Sequence, residues 1–221
     1  MCYGKNMDVQ GHRGSRGTHP ENTLPAFAEA VDAGAGSIEM DLMVTADDVV
    51  VVHHDLCIRE VPICQLTAAQ IGHVPRLREI LKALKSSTIR FNLEIKRDPA
   101  VDPTRLAQII YEEVEGLDQV YFSSFDREVL AAMKKYTDQL AFIFDEVSDI
   151  PPGIKVLSIQ DGLDWQQFKA KGYTVYIWTV NDPHRWGELI EQGVDGIITD
   201  YPRKLVEYLH KSSDSVSGRY N

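Results

Sequence analysis

The chain has 221 residues, of which 43% are hydrophobic and 25% charged, and 23 Lys and Arg against 33 Asp and Glu give a net charge of −10. Those proportions exclude a disordered chain and a disulfide mini-protein, and the acidic balance argues against a nucleic-acid footprint. The longest apolar runs, such as residues 49–52, are far too short to span a bilayer, so no stable membrane anchor is expected.

Strand-like and helix-like patterns alternate along the chain. Residues 8–11 read as a first strand, followed by a glycine-rich turn. Pro20-Glu21-Asn22-Thr23 opens a helix over 24–33, in which Leu24, Phe27, Ala28 and Val31 recur at helical spacing and Gly34 is the stop. Residues 37–44 form a second strand; after a turn at Asp47-Asp48, residues 49–53 are extended again. Residues 55–75 read as a poorly patterned loop. A helix over 76–85 follows, with Leu77, Ile80, Leu81 and Leu84 on one face, and then a third strand over 89–96. Pro103 sits where a helix N-terminus tolerates its missing N–H, and that helix runs to 115 before Gly116. Residues 119–125 are the fourth strand, 126–136 a helix capped by Asp126, and 140–144 the fifth strand. The connection at 149–153 has no helical pattern. The sixth strand covers 156–159 and a helix 163–171, ended by Gly172. The seventh strand covers 174–180 and a helix 183–192, ended by Gly193. The eighth strand covers 196–199, and 203–210 is the last helix. The polar tail, 212–221, is expected to be disordered.

Eight strands alternating with about seven helices predict an α/β fold with parallel strands and right-handed crossovers. The length fits a minimal TIM (β/α)8 barrel with a short insertion after the second strand, forming a single domain over 1–211. An open doubly wound sheet competes, but no G-x-G-x-x-G follows a strand. The N-terminus, Met1-Cys2-Tyr3-Gly4-Lys5-Asn6, carries no signal-peptide pattern. Cys2, Cys57 and Cys64 are expected to be free thiols in a reducing cytoplasm; a Cys57–Cys64 bridge has no independent support.

Strand alternation places Glu39 and Asp41 on one face of the second strand, opposite Ile38, Met40 and Leu42. On the third strand it places Asn92, Glu94 and Lys96 opposite Phe91, Leu93 and Ile95. Three inward carboxylates on neighbouring strands repel one another and need a cation or raised pKa values. One reading is a buried ion-pair network with Lys96 and Arg13. The other is a site of hard oxygen ligands for one divalent cation, Mg²⁺ or Ca²⁺ with Mn²⁺ a third candidate. His12-Arg13-Gly14 ends the first strand, and His53-His54-Asp55 ends the extended segment. Two candidate acid–base histidines, a metal and a phosphate-forking Arg make a phosphoester site.

These residues resemble the glycerophosphodiester phosphodiesterase family. The stretch GHRGSRGTHPENTLPAFAEAVDAGAGSIEMDLMVTADDVVVVHHD, residues 11–55, carries the family's HRG, PENT, E-x-D and H-D at matching separations. NLEIK at 92–96, VYIWTVND at 175–182 and GVDGIITDYP at 193–202 match as well, while 97–174 matches only loosely. The resemblance implies a TIM barrel that hydrolyses glycerophosphodiesters to glycerol 3-phosphate and an alcohol with a divalent metal. It implies Glu39, Asp41 and Glu94 as metal ligands and His12 and His54 as the acid–base pair. Arg13 and Lys96 would neutralise the phosphate, and Trp178 would wall the glycerol side. Glu21 and Asn22 would brace the first loop. His12 is the expected base and His54 the acid, with the substrate's vicinal hydroxyl or water as nucleophile. The sequence departs from the family at Asp48 and Gly36, away from the chemistry, and after Asp55. There the usual longer insertion over the site is shortened, which implies tolerance of different leaving alcohols. The expected partner is therefore a small-molecule glycerophosphodiester. The alternatives are a lysophospholipid-cleaving relative and a non-catalytic glycerophosphodiester-binding barrel.

Overall fold

The computed structural model of this chain describes residues 7–85, 87–146 and 149–217, with side chains to residue 212. Runs rich in β-branched and aromatic residues become strands, and segments with 3.6-residue apolar spacing become helices. In chain order the elements are β1 (Asp8–Gly11), α1 (Leu24–Asp32), β2 (Ser37–Val44), β3 (Val50–Val52), β4 (Cys57–Ile58) and β5 (Val61–Pro62). They continue with α2 (Leu77–Ala83), β6 (Arg90–Ile95), α3 (Pro103–Glu113), β7 (Val120–Ser124), α4 (Arg127–Met133) and β8 (Leu140–Phe144). The last are β9 (Val156–Gln160), α5 (Gln166–Ala170), β10 (Thr174–Trp178), α6 (Pro183–Glu191), β11 (Gly196–Thr199) and α7 (Pro202–Ser217).

Eight of these strands close into a ring in the order β1, β11, β10, β9, β8, β7, β6, β2 and back to β1. Every neighbouring pair in the ring is parallel, the (β/α)8 barrel that the element count predicts. Because β1 is short, its pairing with β2 stops at Gly11 opposite Ile38. Beyond that point β3 takes over the same side of β2, antiparallel, with Leu42, Met43 and Val44 opposite Val52, Val51 and Val50. An edge that would otherwise be open is thereby covered.

The helices pack their apolar stripes on the outer face of the ring. Phe27 and Ala30 of α1, Leu77 and Ile80 of α2, Leu106 and Ile110 of α3 and Val129 and Met133 of α4 share one buried cluster with Ile38, Met40, Leu42 and Leu93. Three helices start on an aspartate whose carboxylate accepts from the first-turn backbone. These are Asp102 from Arg105 N, Asp126 from Glu128 N and Val129 N, and Asp182 from His184 N. Such a cap contributes about 1 kcal/mol.

Inside the ring the chemistry changes. Gln10, Ser37, Asn92, Ser123 and Ser158 are all buried, where a barrel of this kind is ordinarily filled by branched apolar side chains. Such groups are costly to bury unless hydrogen-bonded, and most of them are bonded to one another.

Three elements differ from the sequence reading. Residues 55–75 are not a plain loop: β4 and β5 pair as a hairpin, and Ile63, Ile71 and Val74 form a second small core with Met43 and Val51. Their spacing follows neither a strand nor a helix period, because an irregular segment packs them. The helix expected over 163–171 shortens to α5, following the turn in which Gly162 takes a φ of 98°. The last helix runs past 210 to Ser217, into the expected tail, of which residues 218–221 lie outside the described residues, as does Cys2. Cys57 and Cys64 are free thiols. No helix among the described residues is long and apolar enough to cross a membrane.

Candidate active site

The first loop is built by two left-handed residues that bind each other. Arg13 takes a φ of 51° and Asn22 one of 57°, and Asn22 N donates to Arg13 O over 3.1 Å. Gly14 follows at φ 81°, where a Cβ would lie 2.6 Å from the Ala26 carbonyl carbon, so the turn presses on α1 too closely for any side chain. This geometry directs the Arg13 N–H onto Glu39 Oε2 at 2.8 Å. It also directs Asn22 Nδ2 onto Asp41 Oδ2 at 2.8 Å, while Asn22 Oδ1 accepts from Asp41 N at 3.3 Å. Glu21 turns to Arg13 and Arg16, at 2.9 and 2.6 Å. The bracing role expected of Glu21 and Asn22 is thus the contact they make.

Glu39 and Asp41 point inward from β2, and Glu94 from β6 beside Asp41. All three are buried, and each offers one oxygen within 4.8 Å of the others. Unit charges at about 4 Å repel by roughly 4 kcal/mol even at an effective dielectric near 20. Two cations offset part of this. Lys96 Nζ meets Glu94 Oε1 and lies 3.2 Å from Asp41 Oδ1, and Arg13 Nε lies 3.2 Å from Asp41 Oδ2. Burial raises the Asp41 carboxyl, but Lys96, Arg13 and the Asn22 bond outweigh it and hold it below its ordinary value. Burial and then the charge of Asp41 push Glu39 well up, and push Glu94 up to about 7. Glu39 Oε1 is buried without a hydrogen-bond partner among the described residues. An orphaned carboxylate oxygen beside two more carboxylates fits a hard divalent cation held by Glu39, Asp41 and Glu94.

His12 leaves β1 with its N–H on Thr199 O. Its Nδ1 lies 2.7 Å from Asp200 Oδ1, so the ring proton sits on Nδ1 and Nε2 keeps its lone pair. Asp200 is fixed in turn by Asn181, whose Nδ2 donates to Oδ2 at 2.7 Å and whose Oδ1 accepts from Asp200 N at 2.9 Å. Burial depresses the His12 pKa despite the opposing pull of Asp200, which favours the neutral ring. His54 is more exposed, with Nδ1 2.8 Å from Asp55 Oδ1. The backbone next to it is anchored by His53 N donating to Asp41 O over 3.0 Å.

One cavity of about 210 Å³ gathers His12, Arg13, Glu39, His54, Glu94, Lys96 and Trp178, with Asp41 packed against its carboxylates. Its far wall is apolar, Ile143 and Ile198 with Trp178 and Phe125 edge to face at 5.7 Å. Trp178 is oriented by its Nε1 donating to Ser158 O over 3.1 Å. A shallower groove of about 570 Å³ continues from His54, Lys96 and Phe125 past Leu56 and Cys57. Sequence reasoning gave no role to Asp200, Asn181 or Asn92. The signal for Asp200 and Asn181 was present: each is a polar residue just beyond the C-terminal end of a strand, where barrel sites are built.

Two family models, both described as the glycerophosphoryl diester phosphodiesterase family, match residues 12–149 and 174–203. A glycerophosphodiester phosphodiesterase of Caldanaerobacter subterraneus is 26% identical over 92% of this chain and 98% of its own length. A lysophospholipase D of Rattus norvegicus is 26% identical over 91% of this chain and 86% of its own length. A solved glycerophosphodiester phosphodiesterase from Parabacteroides distasonis superposes with a TM-score of 0.85 at 26% identity, covering 95% of this chain and 100% of that one. An Oleispira antarctica phosphodiesterase, solved in complex with sn-glycerol-3-phosphate, has a TM-score of 0.84 at 24% identity, covering 93% and 97%.

Proposed function

Because the chain belongs to the glycerophosphoryl diester phosphodiesterase family, we propose that it hydrolyses glycerophosphodiesters to glycerol 3-phosphate and an alcohol, using a divalent cation and two histidines. The observation that carries this reading is the Asp200-oriented His12 facing the same small cavity as the three buried carboxylates and His54.

Glu39, Asp41 and Glu94 would hold the cation, which supplies Lewis-acid charge at the phosphoryl oxygens. Arg13 and Lys96 line the cavity beside them and offset phosphate charge from fixed positions, the preorganisation that usually dominates such catalysis. His12 Nε2 takes the proton of the attacking hydroxyl. His54, when protonated, hands one to the departing alkoxide. Trp178 excludes water from the glycerol side. The groove past Leu56 leads away from His54, so it receives the leaving alcohol, and its openness agrees with broad tolerance there.

The direct test is a metal-supplemented assay on glycerophosphocholine and glycerophosphoethanolamine, with phosphate monoesters as controls. His12→Ala and His54→Ala should each lower kcat by about 10²-fold or more. Near-normal rates in both would remove the acid–base assignment, and a folded wild type inactive on every diester would favour a binding module.

Asp200 is a positioning residue. Asp200→Asn should lower kcat by about 10²-fold or more, as the ring loses its fixed tautomer. Because Asp200 raises the His12 pKa, its loss should also move the acid limb of the kcat/KM profile to lower pH. An unmoved limb would mean that Asp200 serves only structure.

A second reading takes lysophospholipids as substrates. It is supported by the rat relative named lysophospholipase D, and it asks the same chemistry of an acylated glycerol.

A further inference from the structure

The buried polar column inside the barrel has a direction. Asp8 Oδ2, at the end remote from the cavity, accepts from Ser37 Oγ at 2.6 Å, Arg90 Nη2 at 2.8 Å and Tyr176 Oη at 3.0 Å. With its proton given to Asp8, Ser37 Oγ accepts from Gln10 Nε2 at 2.7 Å. The same nitrogen lies 2.6 Å from Tyr121 Oη, and because the Ser37 proton is committed to Asp8, turning the Gln10 amide over would set its oxygen against Ser37 Oγ. Gln10 Oε1 therefore faces the next layer and accepts from Asn92 Nδ2 at 3.0 Å. Turning the Asn92 amide over would set two carbonyl oxygens against each other. Each step forces the next, and the last free group is Asn92 Oδ1.

That oxygen is buried without a partner among the described residues. Asn92 is 1% exposed and lies on the cavity wall. A buried acceptor of this kind is nearly always satisfied, so it calls for a donor from whatever fills the cavity. Glycerol bears two free hydroxyls in a glycerophosphodiester. The proposed chemistry takes the 2-hydroxyl to His12, leaving the terminal one. An acceptor recognises O–H and has nothing to offer an ester or ether oxygen. The cavity, at about 210 Å³ with Ile143 and Ile198 closing it, is also smaller than the roughly 300–1,000 Å³ of drug-sized sites.

We infer that Asn92 is a specificity-determining residue: its Oδ1 accepts the terminal glycerol hydroxyl and confines the enzyme to diesters whose glycerol is not acylated at that position. The inference rests on the hydrolase reading above and decides against the lysophospholipid alternative.

The test compares glycerophosphocholine with its 1-deoxy analogue (2-hydroxypropyl phosphocholine), its 1-O-methyl ether and 1-acyl lysophosphatidylcholine, all on metal-supplemented wild type. The three altered substrates should lose about 10²-fold or more in kcat/KM, since a site built to bond a hydroxyl rejects analogues lacking one. Asn92→Ala should lose a similar factor on glycerophosphocholine but little on the 1-deoxy analogue, bringing the two within about tenfold. Wild-type kcat/KM within threefold for the 1-deoxy analogue, or full discrimination retained by Asn92→Ala, would overturn the assignment. The wild-type series needs no variant to fold. Calorimetric binding of glycerol 3-phosphate against 2-hydroxypropyl phosphate separates recognition from turnover. Selective binding, lost in Asn92→Ala, by a protein inactive on every diester would uphold Asn92 while overturning the hydrolase reading.

Discussion

Stripping divalent cations with EDTA should reduce turnover to background, and Mg²⁺, Ca²⁺ or Mn²⁺ should restore it. The expectation rests on Glu39, Asp41 and Glu94 converging, with Lys96 and Arg13 offsetting part of their charge. Undiminished turnover by metal-stripped protein in chelator would sink the metal reading. The effect should appear without any assay of activity. A cation at about 100 times its Kd adds roughly 2.7 kcal/mol of stability, which for this chain length is about 5–10 °C in Tm. The metal-free protein should also respond to pH in a defined direction. Burial raises Glu39 and Glu94 above their unfolded values. Their contribution is therefore fully present below about pH 4.3 and is lost as pH rises through the folded values, which for Glu94 is about 7. The metal-free Tm should thus fall as pH rises from about 4.3 to about 7, and the cation-dependent increment should grow over the same range. Asp41 has the opposite sign: held below its unfolded value, it withdraws stability only at the acid end.

The second large effect concerns the nucleophile. A glycerophosphodiester lacking the 2-hydroxyl should be cleaved more slowly by about 10³-fold or more, though it still binds. A tethered hydroxyl in good alignment reaches effective molarities of roughly 10⁵–10⁸ M. His12, whose neutral form burial favours, faces the cavity that would hold glycerol, with Nδ1 on Asp200. In the proposed first step the 2-oxygen bonds to phosphorus and its proton passes to His12. The bond from phosphorus to the leaving oxygen breaks, and that oxygen takes a proton from His54. Water then opens the five-membered cyclic phosphate, with the two histidines reversing roles. ³¹P NMR during turnover should show the cyclic species. A 2-deoxy substrate hydrolysed at a similar rate would make water the direct nucleophile.

Most of the barrel could be read from periodicity, and so could the carboxylates. Glu39 and Asp41 interrupt an otherwise apolar strand at two-residue spacing, and Asn92, Glu94 and Lys96 repeat the pattern one strand over. Alternation converts that directly into a shared face. Asp200 carried only a positional signal, a polar residue just past a strand end, which did not give its role. It belongs to no periodic pattern, and its significance depends on β11 lying beside β1, which no local window contains. Asn92 was placed on the right face but given no role, because the free end of its amide is decided by Asp8 three hydrogen bonds away. The segment 55–75 escaped because Ile63, Ile71 and Val74 serve a small core of their own with no regular spacing.

The His12–Asp200 contact joins residues 188 positions apart, so it forms only when the ring is completed. The carboxylates on β2 and β6 are neighbours long before that, since those strands pair across one helix and one hairpin segment. During refolding the three carboxylates should therefore be able to converge before the ring closes, whereas the His12–Asp200 contact requires that closure. Cation binding at the three carboxylates and turnover should thus return on different timescales during refolding, the carboxylates' binding first.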